Sequence, residues 1–318
     1  MGASPPIFIG NLMPNTIIVD ASNRVYAHQY GNKLTCGKFE VQAIFGFVKE
    51  IRALIVKNPG WSPLVLWDGR AQWRYDLFPE YKSGREKKAL EDPDSAERKQ
   101  AREAQIPYIR KALSWLGIHQ MYATDQEADD MAGYFNKRIT ESGYLVRLIS
   151  SDTDWSQLVG PSTQFRDPIN DKLITPVNFF EMTGYKDGYS YIQGKALIGD
   201  TSDSIDGVPK IGQKTAPEIL MEFGSIEEFF RQVDEGIFKP KYVKHKNLAS
   251  PEGRAIFERN MKLMSLQDVK APDPKNVRAL KPELNKANFR ALCEKLNFQS
   301  ILREYDEWFA AFENRDKR

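Results

Sequence analysis

The sequence predicts an α/β protein in which a mostly parallel central sheet is flanked by helices. Short apolar stretches alternate with amphipathic, helix-like stretches through the first half of the chain, and after about residue 185 the strand pattern fades while the helical pattern continues. Alternation of this kind is typical of parallel sheets that are covered on both faces. We therefore expect an α/β core over residues 1–185 and a helical region over 186–318, whose last helices pack back on the core.

Each element of the first half follows from its own pattern. Short buried strands are predicted at residues 16–19, 64–67, 118–122 and 145–150. Helices are predicted at about 38–57, 98–116 and 126–141. The segment from about 70 to 105 is charged, poor in aliphatic residues and interrupted by Gly84 and Pro93. For that segment we expect a long, partly helical excursion from the edge of the sheet.

Composition excludes several classes of protein. The 318 residues include 45 Lys and Arg against 43 Asp and Glu, so any affinity for nucleic acid must come from local patches. No run of 18 apolar residues predicts a membrane span, and residues 1–15 lack the pattern of a signal peptide. Cys36 and Cys293 are the only cysteines, which favours a reducing compartment, and three histidines argue against a histidine-rich zinc site.

Three of the predicted strands are followed by aspartate, at Asp20, Asp68 and Asp152. Because the carboxyl ends of parallel strands line one crevice, these side chains should converge. An extended backbone would also direct the carboxylate two residues after Asp152 to the same side. The further acids expected at this edge are Asp154, Glu127, Asp129, Asp130, Asp200 and Asp203.

A cluster of acids like this would be unstable without cations. Two like charges about 4 Å apart repel by roughly 4 kcal/mol at an effective dielectric near 20. Oxygen ligands without histidine favour Mg²⁺ or Mn²⁺ over zinc, and two such ions roughly 3.5–4 Å apart would support two-metal hydrolysis of phosphodiesters. For any single acid the alternative is a solvated loop residue or a helix N-cap, which is the preferred interpretation of Asp125.

The stretch Leu197–Gly212 is the most informative part of the chain. It places Asp200 and Asp203 ahead of a Gly-Val-Pro-Lys-Ile-Gly turn that opens a helix. A glycine turn that feeds a helix N-terminus presents backbone N–H groups to phosphate. Metal and phosphate side by side predict an enzyme that cuts or transfers phosphodiesters.

Five blocks of sequence resemble the 5′-nuclease family, which includes phage flap endonucleases and the 5′-nuclease domain of bacterial DNA polymerase I. They occur in the family's order from about residue 16 to 225: IIVDASNRVYA, LWDGRAQWRYDLFPEYKSGR, DQEADDMAG, ISSDTDWSQLV and LIGDTSDSIDGVPKIGQKTA. A weaker similarity continues through FERNMKLMSL and the C-terminal helices. The resemblance implies the PIN-like 5′-nuclease fold with a helical arch and a helix–hairpin–helix element at about 190–225. The absence of a polymerase region favours a free-standing, phage-type enzyme.

The resemblance also implies a metal-binding role for each matching acid. The first of two Mg²⁺ ions, for which Mn²⁺ could substitute, would be held by Asp68, Glu127 and Asp129, with Asp20 acting mainly through bound water. The second would be held by Asp129, Asp152 and Asp154, with Asp200 and Asp203 completing the outer part of the site and Asp130 supporting the cluster. The expected catalytic residues are Lys82, Arg85, Asp68, Asp129 and Asp152.

The arch and the hairpin supply the expected DNA contacts. Lys82 and Arg85 would lie at the base of the arch and donate to the scissile phosphate, with Tyr81 near the unpaired terminal base. The hairpin would grip the duplex backbone without reading bases. The expected DNA-binding residues are Arg74, Tyr81, Lys82, Arg85, Gly207, Lys210, Gly212 and Lys214.

The hairpin departs from the family pattern at three positions. Lys210 stands where bacterial relatives usually have a third glycine, Asp206 replaces a common proline or arginine, and Pro217 lies early in the following helix. Family hairpins often hold K⁺, and the candidate ligands in this chain are the Ser204 hydroxyl and neighbouring carbonyls. Because of the departures, K⁺ binding stays an open expectation.

The resemblance predicts a monomeric, Mg²⁺-dependent enzyme of the bacterial or phage-infected cytoplasm. Its partners would be DNA with 5′ flaps, nicks or free 5′ ends, and RNA–DNA primers, but no membrane. Cleavage would be endonucleolytic at flaps and exonucleolytic at duplex 5′ ends, in primer or flap removal during replication. Two alternatives stay open: a PIN-like ribonuclease, against which the hairpin argues, and a non-catalytic flap- or junction-binding protein, against which the complete set of acids argues.

Overall fold

The four predicted strands form the centre of a seven-stranded sheet in the computed structural model, which describes residues 15–84 and 95–315. The strands are β1 (Asn15–Asp20), β2 (Thr35–Cys36), β3 (Phe39–Glu40), β4 (Trp61–Trp67), β5 (His119–Ala123), β6 (Val146–Ile149), β7 (Thr163–Asp167), β8 (Lys172–Ile174), β9 (Gly199–Asp200), β10 (Ile205–Asp206) and β11 (Val277–Leu280). The sheet order is β11-β5-β4-β1-β6-β7-β8. Within this sheet β1, β4, β5, β6 and β7 pair in parallel and the edge strands β8 and β11 pair antiparallel, while β2–β3 and β9–β10 form separate antiparallel pairs. The predicted α/β class with a mostly parallel sheet is therefore confirmed.

The helices lie on both faces of this sheet. In chain order they are α1 (Ala21–Gln29), α2 (Gln42–Lys57), α3 (Gln72–Leu77), α4 (Ser95–Trp115), α5 (Ala128–Glu141), a 3₁₀ helix (Thr153–Leu158), α6 (Phe179–Thr183), α7 (Gly188–Ile198), α8 (Thr215–Phe223), α9 (Ile226–Asp234), α10 (Val243–Ala249), α11 (Pro251–Met264), α12 (Lys286–Lys295), α13 (Gln299–Leu302) and α14 (Tyr305–Glu313). The helix predicted at about 38–57 was started too early, because the β2–β3 hairpin occupies the residues before α2. Within the described ranges, no helix is long and apolar enough to cross a membrane.

Alternate residues of the central strands contribute side chains to two separate hydrophobic cores, one on each face of the sheet. Ile18 of β1 points to the face covered by α5 and α7–α11, where Phe135 and Leu197 are buried. Its neighbour Val19 points to the opposite face, covered by α1, α2, α4 and α12–α14. Both faces of the sheet are therefore buried under helices, as is typical of parallel sheets.

The strand prediction missed β7, β8 and β11, and the last of these joins distant parts of the chain. Val277 of this strand pairs with Ala123, and Leu280 pairs with Gln120, which adds a strand from the C-terminal part of the chain to the edge of the core sheet. The reason for the miss is physical: β11 is an edge strand whose two central residues, Arg278 and Ala279, are exposed, so it carries no buried apolar stretch.

Candidate active site

A cavity of about 670 Å³ opens where β1, β4 and β6 end. The chain runs from β1 outward to β4 and β5 on one side and to β6 and β7 on the other, so the sheet order reverses beside β1. Ligand crevices in parallel sheets form at such reversal points. Eight of the nine acids predicted to serve metal ions line this cavity: Asp20, Asp68, Glu127, Asp129, Asp152, Asp154, Asp200 and Asp203.

The strand-end acids are fixed because they also begin the next element. Asp20 accepts from the backbone N–H of Asn23 over 3.0 Å at the start of α1, and from the Ser150 hydroxyl over 2.8 Å. Asp152 accepts from the backbone N–H of Asp154 over 2.9 Å at the start of the 3₁₀ helix. Both carboxylates are thus held at the cavity by bonds that the local backbone supplies.

The start of α5 brings three more acids to the same place. The Ala128 N–H donates to Asp68 over 2.9 Å, which ties the end of β4 to this helix. Asp129 accepts from the Trp155 indole N–H over 2.6 Å. The interpretation of Asp125 as a helix cap was wrong: Glu127 is the N-cap, and Asp125 accepts instead from the Asn276 side chain over 2.8 Å.

The structure corrects the predictions for Arg74 and Asp130. The Arg74 guanidinium donates to both oxygens of Asp130, over 2.6 and 2.7 Å, and to the Leu263 carbonyl over 2.9 Å. Arg74 is 3% exposed and Asp130 is 1% exposed, so the pair is buried under the cavity. Arg74 is therefore engaged inside the protein instead of facing DNA, and Asp130 is an internal counter-ion instead of a metal ligand.

Tyr81 and Lys82 both converge on Glu127. The Tyr81 hydroxyl donates to one oxygen of Glu127 over 3.0 Å, and the Lys82 ammonium donates to the other over 2.6 Å. Tyr81 is 4% exposed and packs beside Phe78, so the expected contact with an unpaired base is replaced by this internal bond. Arg85, with the tip of the predicted arch, lies outside the described residues.

Burial and mutual repulsion raise the pKa values of several acids in the cavity. Burial, together with the charge of Asp68, raises the pKa of Asp20 to about 7. Burial, then Asp152, raises the pKa of Asp154 to about 6 and that of Asp129 well above its usual range. Burial would also raise the pKa of Glu127, but Lys82 and Arg74 outweigh it and lower that pKa. The centre of the cavity therefore carries more negative charge than it can stabilise alone.

The donor set fits hard divalent ions, since the cavity wall offers carboxylate oxygens without His or Cys. In the arrangement present, however, no three His, Cys, Asp or Glu side chains among residues 15–84 and 95–315 form a group that could hold a metal ion. Two of the predicted ligands are instead bonded to Lys195, whose ammonium donates to Asp154 and, over 3.3 Å, to Asp200.

Sequence reasoning missed Lys195. The available signal was a lone lysine in the otherwise apolar last turn of a helix, five residues before Asp200. A cation in that setting is unfavourable unless acids from another element reach it.

The predicted hairpin lies between α7 and α8. A Cβ on Gly207 would come within 2.1 Å of the Ile198 carbonyl oxygen, so only glycine fits there. Lys210 has φ +67°, a backbone conformation that favours glycine. The Gly212 N–H donates to the Thr215 hydroxyl over 2.8 Å, while Lys210 and Lys214 are exposed.

Ser204, the candidate K⁺ ligand, joins the hairpin region to the base of the arch. Its hydroxyl accepts from the Gly84 backbone N–H over 2.9 Å and lies 3.4 Å from the Ser83 hydroxyl. One residue earlier, the Asp203 carbonyl accepts from the Lys82 N–H over 2.8 Å. The cavity rim and the approach to the hairpin are thus linked by hydrogen bonds to the side chain of Ser204 and to the main chain of Asp203.

Two family models match the chain. Residues 15–184 match the 5′-3′ exonuclease N-terminal resolvase-like domain, and residues 187–283 match the 5′-3′ exonuclease C-terminal SAM fold. Together they cover most of the residues that the structure describes.

Individual relatives agree with the models. The thermostable DNA polymerase I of Thermus thermophilus is 30% identical over 293 residues, which cover 91% of this chain and 33% of the relative, so the chain spans about a third of that protein's length. A 5′-3′ exonuclease of Aquifex aeolicus is 27% identical over 302 residues, covering 93% of this chain and 97% of the relative. The flap endonuclease of bacteriophage T5, solved with DNA and metal ions, has the same fold: the TM-score is 0.69 at 22% identity, covering 96% of this chain and 100% of that one.

Proposed function

Because the chain belongs to the 5′-3′ exonuclease family, we propose that it hydrolyses DNA phosphodiesters at 5′ ends and at 5′ flaps with the help of divalent metal ions. Members of this family are hydrolases that act on DNA. The observation that carries the proposal is the cavity wall, where eight carboxylates meet beside a phosphate-binding type of hairpin. A non-catalytic binding protein has no use for that much electrostatic repulsion.

Two Mg²⁺ ions are the proposed cofactors, with Mn²⁺ as a substitute. One would be held by Asp68, Glu127 and Asp129, with Asp20 nearby. The other would be held by Asp129, Asp152 and Asp154, with Asp200 and Asp203 outside them. Ions bound there would supply activation of the attacking water and stabilisation of the leaving oxygen.

The protein's own residues would orient the substrate. Lys82 is a cation at the cavity rim whose backbone is fixed by Asp203, so its ammonium is well placed to exchange Glu127 for the scissile phosphate. Exposed Lys210 and Lys214 would contact the duplex backbone on either side of the Gly212 turn. The T5 flap endonuclease, which shares the fold, was solved with DNA.

We place this activity in the removal of RNA primers or flaps during replication, carried out by a monomer. K⁺ near Ser204 is part of the same proposal. The PIN-like ribonuclease is disfavoured because the match to the C-terminal 5′-3′ exonuclease model begins at residue 187 and includes the hairpin.

The test is cleavage of a 5′-flap duplex labelled at its 5′ end, with Mg²⁺ and then with EDTA. Release of a fragment of about flap length that requires Mg²⁺ supports flap endonuclease action, and release of mononucleotides alone indicates a 5′→3′ exonuclease. An all-RNA substrate that is cut faster than DNA would favour the ribonuclease. A gel shift without product at millimolar Mg²⁺ would overturn catalysis and leave the binding protein.

A further inference from the structure

Lys195 places an ammonium inside the acid cluster. Its side chain is 19% exposed, and Nζ donates to Asp154 and to Asp200, whose side chains are 22% and 19% exposed. These carboxylates belong to different elements: Asp154 lies in the 3₁₀ helix and Asp200 in β9. One cation thus joins two of the acids assigned to the second ion.

The surroundings of Lys195 hold it in this position. The carbonyl of Ala196, the next residue in α7, accepts from the buried Asn260 side chain over 2.8 Å. One turn earlier, the Tyr191 hydroxyl donates to the Thr153 carbonyl over 3.1 Å, which ties α7 to the segment that carries Asp154.

We propose that Lys195 is a built-in counter-ion that stabilises Asp154 and Asp200 in the metal-free protein and competes with a divalent ion for the same two carboxylates. This inference rests on the metal site of the proposed function. A divalent ion at that side must displace the ammonium, and the released ammonium lies where an anionic phosphate can accept it. Lys195 is therefore a positioning residue that sets the affinity of one ion.

The test is Mn²⁺ binding to the whole chain by isothermal titration calorimetry, without DNA. Lys195→Gln should tighten one Mn²⁺ site by roughly tenfold or more, because a positive charge a few ångströms from the ion is removed. Lys195→Arg keeps the charge and should bind Mn²⁺ nearly as the wild type does. If Lys195→Gln does not fold, Lys195→Met supplies the neutral side chain.

Thermal unfolding gives a second readout that is independent of activity. In EDTA, Lys195→Gln should melt below the wild type, because two carboxylates lose their counter-ion, and saturating Mn²⁺ should reduce that difference. Lys286 is the matched control, since it too bonds to two carboxylates, Asp306 at 2.9 Å and Glu313 at 3.7 Å, but lies outside the cavity. Lys286→Gln should leave Mn²⁺ affinity unchanged and shift the melting temperature equally with EDTA and with Mn²⁺.

The outcomes separate this inference from the proposed function. Wild-type protein that binds Mn²⁺, with the same affinity in Lys195→Gln, overturns the role of Lys195 and leaves the metal site intact. Wild-type protein that binds no Mn²⁺ overturns both. A melting difference that Mn²⁺ does not reduce would make Lys195 an ordinary structural ion pair.

Discussion

The ammonium of Lys82 lies 2.6 Å from the carboxylate of Glu127, on a backbone that has φ +60°. A lysine rarely adopts this left-handed conformation, and here the Lys82 N–H is held by the Asp203 carbonyl over 2.8 Å. Strain of this kind persists only where the surroundings fix it, and it is common at functional sites. The cation is therefore held at the cavity by its bond to Glu127 and by the backbone bond to Asp203.

Lys82→Ala should lower the single-turnover cleavage rate by roughly 10²-fold, the usual loss when one charge-stabilising donor is removed. Lys82→Arg should keep part of the rate, and Lys82→Gly should fold at least as stably as Lys82→Ala because glycine accepts φ +60°. Rates are measured on flap and nicked duplex substrates in parallel. Wild-type rates on both would remove Lys82 from the catalytic residues.

Asp129→Ala should reduce the cleavage rate by on the order of 10²–10³-fold or more, while flap binding stays largely intact. The reason is that Asp129 is the acid assigned to both ions and faces the cavity beside Asp152. Asp268→Ala, which removes an exposed carboxylate paired with Lys137, is the control and should cut normally. Loss of flap binding with cleavage intact would refute the assignment of Asp129.

Arg74→Ala should destabilise the fold by about 3–5 kcal/mol, because it leaves the buried Asp130 carboxylate unpaired. Adding Asp130→Asn to Arg74→Met should recover much of the loss, since position 130 then carries no unpaired buried charge. Urea denaturation of the metal-free variants provides the free energies of unfolding. If Arg74→Ala kept full stability but bound DNA with a weaker salt dependence, Arg74 would instead be a DNA-binding residue.

Lys210→Gly should separate folding from DNA binding at the hairpin. Relief of φ +67° should leave the free energy of unfolding unchanged or raise it by up to about 1 kcal/mol. Removing the charge should weaken duplex binding and reduce the salt slope by about 1, the value of one phosphate contact. Fluorescence anisotropy at several salt concentrations measures the duplex affinity and its salt slope, with Lys172→Gln on β8 as the control. An unchanged salt slope would mean that Lys210 is a solvated surface residue without a phosphate contact.

His245 should make the protein less stable at acid pH. The side chain is 2% exposed among Phe223, Phe229 and Phe238, and neither ring nitrogen has a hydrogen-bond partner. Burial lowers its pKa below 6.5, against the pull of Glu222, so the unfolded chain binds a proton more readily than the folded one. The stabilisation is present above pH 6.5 and is lost as the pH falls below it towards the folded-state pKa.

The measurement for His245 is the melting temperature at pH 7.5 and 5.5 for the wild type and for His245→Leu. The variant should lose less stability on acidification. Asp20 and Asp154 have raised pKa values and act in the opposite direction, but they are common to both proteins and cancel in the comparison. Equal pH dependence of the two proteins would exclude His245 as the cause.

The sequence was sufficient to predict the four central strands of the sheet and the meeting of the acids, because both depend on local patterns. Apolar runs marked β1 and β4, and an aspartate after each, Asp20 and Asp68, marked the shared edge. Once the strands are parallel, convergence of these side chains needs no further information.

Long-range pairing could not be predicted in the same way. Nothing near Arg74 in the sequence says that its partner is Asp130, and a short Arg-rich segment is equally consistent with DNA contact. Lys195 meets Asp154 across 41 positions, so its place inside the cluster depends on how α7 packs. Buried ion pairs of this kind are properties of the tertiary structure.

The pairing of β11 with β5 bears on how the protein is made. Until residues 277–280 leave the ribosome, the nascent chain carries β5 with one side unpaired. An unpaired strand edge is a template for association with another chain, and contacts between such distant segments form slowly. Completion of the sheet must therefore wait until residues 277–280 have been synthesised, so a translation product interrupted before them would be a substrate for chaperones and proteases.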